Sequence, residues 1–144
     1  MSARWTTRWL VFAAAWNILG GVSALWNPPA HFAQLYTTTL QLGDPLTLFF
    51  YRCTWINVIA WGIAYALAAA MTESRRAVLM AGAIGKTVYC AASVAVYLAG
   101  AGTAALLAAG AVDLLLALAF VFGFFAQQPR RYQDEAGRPY ITRL

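Results

Sequence analysis

The chain has 144 residues, 62% of them hydrophobic and 10% charged. A soluble globular domain is about 25% charged, and one this short buries only about two-thirds of its unfolded surface, so a soluble fold is excluded and lipid remains as the solvent. The formal charge of +5 would suggest nucleic acid or acidic partners in a soluble protein, but every basic residue except Arg52 and Lys86 lies outside the apolar runs, at Arg4, Arg8, Arg75, Arg76, Arg130, Arg131, Arg138 and Arg143. That clustering is a topology signal; nucleic acid is not an expected partner, and the lipid bilayer is.

A bilayer core about 30 Å thick needs roughly 20 apolar helical residues. Four segments reach that length, at 8–26, 46–71, 77–99 and 103–126. The expected fold class is all-α: an integral membrane four-helix bundle occupying 1–126, followed by a tail at 127–144.

The first span ends at Asn27-Pro28-Pro29, where two prolines remove successive backbone donors. A cleaved signal peptide is the rival reading, since basic residues precede the run and Val22-Ser23-Ala24 resembles a cleavage site. The run exceeds the usual h-region of about 7–15 residues and carries Asn17, so a retained helix is expected. Residues 30–44 are too polar to span, yet Phe32, Leu35, Tyr36, Leu40 and Leu42 are too apolar for a solvated loop. They predict an interfacial segment, with a short helix from Pro29 to Thr38.

The second span is the most aromatic, with Phe49, Phe50, Tyr51, Trp55, Trp61 and Tyr65, and it ends in the charged stretch 72–76. The third and fourth spans are rich in Ala and Gly and are joined by the uncharged Gly100-Ala101-Gly102. The tail reads as a basic, solvated extension with little structure. Lys and Arg flank the start of span one, the 72–76 loop and the tail, whereas the loops at 27–45 and 100–102 have none, so both termini are expected in the cytoplasm. Trp5 and Trp9 at one boundary, Trp26 and Tyr97 at the other, and Tyr132 past the fourth span fit interfacial belts.

Charges at membrane depth are costly and each needs an explanation. Lys86 lies about 13 Å from the cytoplasmic boundary of span three and Asp113 about 20 Å from the same boundary of span four. Their offset is close to the length of a lysine side chain, and the tight turn makes the two helices antiparallel neighbours, so a Lys86–Asp113 pair is predicted. Asn17 and Asn57 fall at similar depth, completing a midplane polar cluster. Arg52 lies about 9 Å from the outer boundary, where it either joins the cluster or snorkels to water; if it joins, two cations and one anion would favour an anionic guest.

Gly82, Lys86, Tyr89, Ser93 and Tyr97 form one helical stripe facing protein rather than lipid. Ala13, Asn17, Gly20, Gly21 and Ala24 on span one, and Cys53, Asn57, Ala60 and Ala64 on span two, offer small faces for close helix approach. The cluster fixes helix register on one reading and forms a substrate, proton or cofactor site on the other.

Other signals carry little chemistry. Gly85-Lys86-Thr87 resembles the end of a phosphate-binding loop, but Met80 stands where the leading glycine belongs. His31, the only histidine, cannot assemble a metal site by itself, and its expected role is interfacial. Cys53 and Cys90 belong to no C-x-x-C pair and are expected as buried small hydrophobes. No metal and no cofactor is predicted.

Trp61 and Gly62-x-x-Tyr65, the short arginine-bearing loop, Gly82-x-x-Gly85-Lys86 and an Asp in the last span together resemble a group of small, functionally uncharacterised four-helix bacterial inner-membrane proteins, over roughly residues 8–126. That resemblance implies a location in the bacterial inner membrane and no particular activity. Architecture and length are also similar to the DoxX-like membrane proteins. Small multidrug exporters share the four spans, but they carry a first-helix glutamate where this chain has Asn17.

Three functions are compatible with these features. The excess of helix-contact signals over chemical groups favours a non-catalytic accessory or interaction subunit, bound to another membrane protein or to itself. Lys86, Asp113 and Arg52 would suit a small oligomeric transporter or proton-coupled carrier. Trp55, Trp61, Tyr65 and Tyr89, with Ser93, would suit a cavity for a lipid, quinone or pigment.

Overall fold

The computed structural model describes residues 3–41, 43–127, 131–133 and 139–141. The elements are α1 (Ala3–Trp26), α2 (Pro28–Leu35), α3 (Pro45–Ala70), α4 (Arg75–Leu98), α5 (Ala104–Ala126), β1 (Arg131–Gln133) and β2 (Pro139–Ile141). All but α2 among the helices are long and apolar enough to cross a membrane, so the chain is an all-α, multi-pass membrane protein.

Local chemistry sets the helix ends. Asn27 caps α2 by accepting from the Ala30 amide at 3.2 Å, and Pro28 and Pro29 occupy the first turn, where no donor is needed. Asp44 caps α3 by accepting from the amides of Leu46 and Thr47 and from the Thr47 hydroxyl. The Thr47 hydroxyl and amide hold this carboxyl below its ordinary 3.8. At the other end of α3, Arg75 folds back to donate from Nε to the Ala68 carbonyl at 2.8 Å and from Nη2 to the Ala69 carbonyl at 2.7 Å. It thereby satisfies helix-terminal acceptors and complements the dipole. A positive φ of 75° at Gly100 turns the chain from α4 into α5, where Thr103 caps.

α1 starts five residues before the expected Arg8, because its first turn has a protein partner: Thr6 is buried, and a β-carbon at Gly123 would lie 3.0 Å from its Cγ2. The short interfacial helix ends at Leu35 rather than Thr38. Tyr36 turns extended there and bridges Gly102, with Thr37 donating to the Ala101 carbonyl at 3.0 Å and the Thr103 amide to the Leu35 carbonyl at 2.9 Å. The Thr103 hydroxyl adds a 2.5 Å bond to the Gln34 carbonyl. α2 is thus a strap tied to the α4–α5 turn.

Two antiparallel pairs result. α1 and α3 run along each other, with Ala14 beside Gly62 and Gly21 beside Ile59; a β-carbon at Gly62 would come within 2.7 Å of Ile18 Cγ1. α4 and α5 do the same around Ser93 and Gly110, where a β-carbon would lie 2.9 Å from Ser93 Cβ. The pairs join at the end bearing Arg4, Arg8, Arg75 and Arg76, here called the basic end. Leu10, Ala13 and Ala14 of α1, Tyr65 and Ala68 of α3, Leu79 and Ala83 of α4, and Leu116 and Phe120 of α5 form the core there. Burying a side chain such as Phe120 is worth about 1.5–3 kcal/mol against water, but against lipid the gain comes from close contact between small residues and from interhelical hydrogen bonds.

The tail departs from the expectation of little structure. β1 and β2 pair antiparallel, with Tyr132 opposite Tyr140; tyrosine and isoleucine favour strands. Arg130, Arg138 and Arg143 of the basic tail, and Leu42 of the interfacial segment, lie outside the described residues.

Candidate functional site

Three spans converge on one ammonium group. Lys86 Nζ of α4 donates to Asp113 Oδ1 of α5 at 2.5 Å and to Asn17 Oδ1 of α1 at 3.1 Å. Asn17 is held in turn, its Nδ2 donating to the Val58 carbonyl of α3 at 3.4 Å. Side-chain exposure is 5% for Lys86 and 12% for Asp113, so each charge depends on the other for compensation; breaking such a pair costs about 3–5 kcal/mol, whereas replacing both partners costs little. The ammonium also stands 5.7 Å from the centroid of the Tyr65 ring, within cation–π range. An ammonium has three N–H donors, and two are used here.

Beyond this triad the helical pairs separate and enclose a cleft of about 990 Å³. The triad forms its floor and α2 its roof. Trp16, Trp55, Trp61, Tyr65 and Tyr89 supply aromatic wall. Exposed residues edge it on both flanks, Leu19 of α1 and Ala105 of α5 on one, Asn57 of α3 and Gly85 of α4 on the other. The cleft therefore opens sideways between the helical pairs. Gly20 and Gly85 face it with no atom within 4 Å of a built β-carbon, so both positions border open space.

Under the roof, His31 sits edge-on to Trp55 with centroids 4.5 Å apart, and its Nδ1 lies 3.2 Å from the Tyr51 hydroxyl. Partial burial lowers the pKa of His31 from its ordinary 6.5 and raises that of Tyr36.

The expected cluster is not assembled whole. Lys86, Asp113 and Asn17 meet, but Asn57 is exposed on the cleft wall and makes no hydrogen bond among the described residues. Arg52 is exposed and lies outside the cleft. Ser93 is buried but does not line the cleft: its hydroxyl donates to the Tyr89 carbonyl at 2.8 Å in the α4–α5 seam. Cys53 is exposed and Cys90 half-buried, correcting the expectation of two buried cysteines. The face Cys53, Asn57, Ala60, Ala64 is likewise not the contact face of α3, whose buried residues are Gly62, Tyr65 and Ala68. Tyr97, at the end of the α4 stripe, is exposed.

His31, Tyr36, Tyr51, Trp16 and Gly20 line the cleft without having been singled out for it. Tyr51 and Trp55 stand one helical turn apart, and that spacing was the available signal. Chemically, the site offers apolar and aromatic wall, one ammonium donor, one carboxylate oxygen beyond that paired with Lys86, and the His31–Tyr51 contact. This set has the groups to hold and orient a molecule. Comparison with protein families, with curated proteins and with solved structures finds no match.

Proposed function

We propose that this protein is a non-catalytic binder of a membrane-dissolved lipophile. The observation that carries this reading is the 990 Å³ cleft, opening sideways at membrane depth onto a buried Lys86–Asp113–Asn17 floor. Ligand pockets are typically about 300–1,000 Å³, mostly apolar, with a few convergent polar groups. The interaction-subunit reading rests on helix-contact signals that the bundle uses internally at Gly62 and Gly110. A flux-coupled carrier would need the Lys86–Asp113 pair to open, and the two hydrogen bonds on the ammonium favour holding over transport.

The resemblance to small bacterial inner-membrane proteins supports a location there, and the exposed Arg4 and Arg8 with Arg75 and Arg76 at one end support that end facing the cytoplasm. Reporter fusions at both termini test the orientation; activity of a periplasm-dependent reporter at either terminus overturns it.

The functional test is purification in mild detergent followed by organic extraction and mass spectrometry, comparing wild type with Gly85→Leu, a change that fills open space in the cleft. A lipophile retained by wild type and lost from the folded variant is the expected result. Equal retention by both would sink the proposal.

A further inference from the structure

Resting on the cleft reading, we infer that the cleft takes an electrically neutral lipophile with a planar, carbonyl-bearing head, the quinone class, its head on the Lys86–Asp113 floor and its tail leaving sideways into the bilayer. Three observations lead there. First, the floor is neutral as a unit: Lys86 and Asp113 compensate each other at 2.5 Å, and the other charges of the spanning helices, Arg52 on α3 and Arg4, Arg8, Arg75 and Arg76 at the basic end, line no part of the cleft. A charged head at this depth would arrive without a counter-ion, and charge in hydrocarbon is costly.

Second, the floor keeps unspent hydrogen-bonding capacity. Lys86 has donated two of its three N–H groups, and both Lys86 and Asp113 line the cleft. A carbonyl oxygen can accept the third N–H without displacing either existing bond, and a reduced, hydroxyl-bearing form of the same head can also donate to the carboxylate. An aliphatic chain without a head would leave that donor unused.

Third, the wall next to the floor is aromatic. Tyr65 lies under the ammonium, with Trp61 at a centroid distance of 5.8 Å and an interplanar angle of 39°, and Trp16 and Tyr89 complete the surround. Flat rings stack on such surfaces in offset or tilted geometry. The lateral opening provides the exit for an apolar tail.

The test uses purified full-length protein and four probes with the same ten-carbon tail: 2-decyl-1,4-benzoquinone, decylbenzene, decanesulfonate and decyltrimethylammonium. Native mass spectrometry reports occupancy of each, and quenching of tryptophan fluorescence reports the quinone. Wild type is expected to bind the quinone at least tenfold more tightly than any of the other three. Asp113→Asn leaves an unpaired cation and should raise decanesulfonate affinity at least tenfold; Lys86→Met should do the same for decyltrimethylammonium. The double variant K86M/D113L, which leaves no buried charge behind, should hold quinone and decylbenzene equally and decides the matter if a single variant fails to fold.

Wild type that binds decylbenzene or a charged probe as tightly as the quinone overturns the head-group inference while leaving the cleft reading in place. So does a double variant with unchanged quinone affinity. The cleft reading fails separately if Gly85→Leu takes up all four probes as wild type does, and both fail if wild type binds none.

Discussion

Gly82 stands directly against the ring of Tyr65: a β-carbon at position 82 would lie 2.8 Å from both Cε1 and Oη of that tyrosine. Here α3 meets α4 at the lower lip of the cleft, with Tyr65 tilted against Phe120 at a centroid distance of 5.1 Å. Gly82→Leu should force the pairs apart and destabilise the bundle by about 1–3 kcal/mol, the usual cost of overfilling a close-packed contact. Unfolding in mixed SDS micelles measures it, with Gly85→Leu as the comparison, since that position has open space and should change stability little.

The buried ion pair gives a second expectation. Lys86→Met and Asp113→Leu each strand one charged partner and should cost about 3–5 kcal/mol if the remaining group stays charged, while the K86M/D113L double variant should come within about 1 kcal/mol of wild type. A double-mutant cycle in the same micelle assay reads the coupling. Additive costs would show that the two side chains do not depend on each other.

Thr103 serves α5 and the strap together. It caps the helix by accepting from the Leu106 amide at 3.4 Å and ties α2 down through the Gln34 carbonyl. Thr103→Ala should cost about 1 kcal/mol for the cap alone. Hydrogen exchange should also speed up at residues 34–37, which a simple capping loss would leave unchanged.

His31 makes the roof sensitive to acid. Its folded pKa is lowered from 6.5 by burial, so the unfolded or undocked state takes up a proton first. Stability of the docked strap is therefore complete above about pH 6.5 and declines as pH falls from there toward the lower folded value. Trp55 fluorescence, reported through a variant lacking the other tryptophans, should change over that window. His31→Phe should abolish the change while keeping the edge contact with Trp55.

The spans and the level of the ionisable groups were legible because a helix advances by a fixed rise per residue. Counting from the cytoplasmic ends of the two spans sets Lys86 and Asp113 within about the length of a lysine side chain of each other on antiparallel neighbours. Rotation about the helix axis was less legible: Arg52 and Asn57 have the right depth, but the face of α3 that meets α1 is chosen by Gly62, and only the fit of Ile18 over that glycine reveals it. The volume of the cleft had no sequence signal, since it depends on how far two pairs diverge above the Phe120 core. The short helix α2 was expected, but its tie to the α4–α5 turn was missed for a related reason. Apart from the Thr103 hydroxyl bond to the Gln34 carbonyl, the tie runs between main-chain groups of Leu35, Thr37, Ala101 and Thr103, and backbone groups carry no residue-type signature.

The division into α1–α3 and α4–α5 pairs also bears on biogenesis. Each pair finds most of its contacts within itself, so a chain severed in the loop at 71–74 still contains both helix pairs intact. Coexpressed fragments 1–72 and 73–144 should therefore insert independently and reassemble, guided by the Lys86–Asn17 bond and the strap. The same organisation makes the molecule a natural candidate for gene fission, in which two separately encoded halves regain one shared floor.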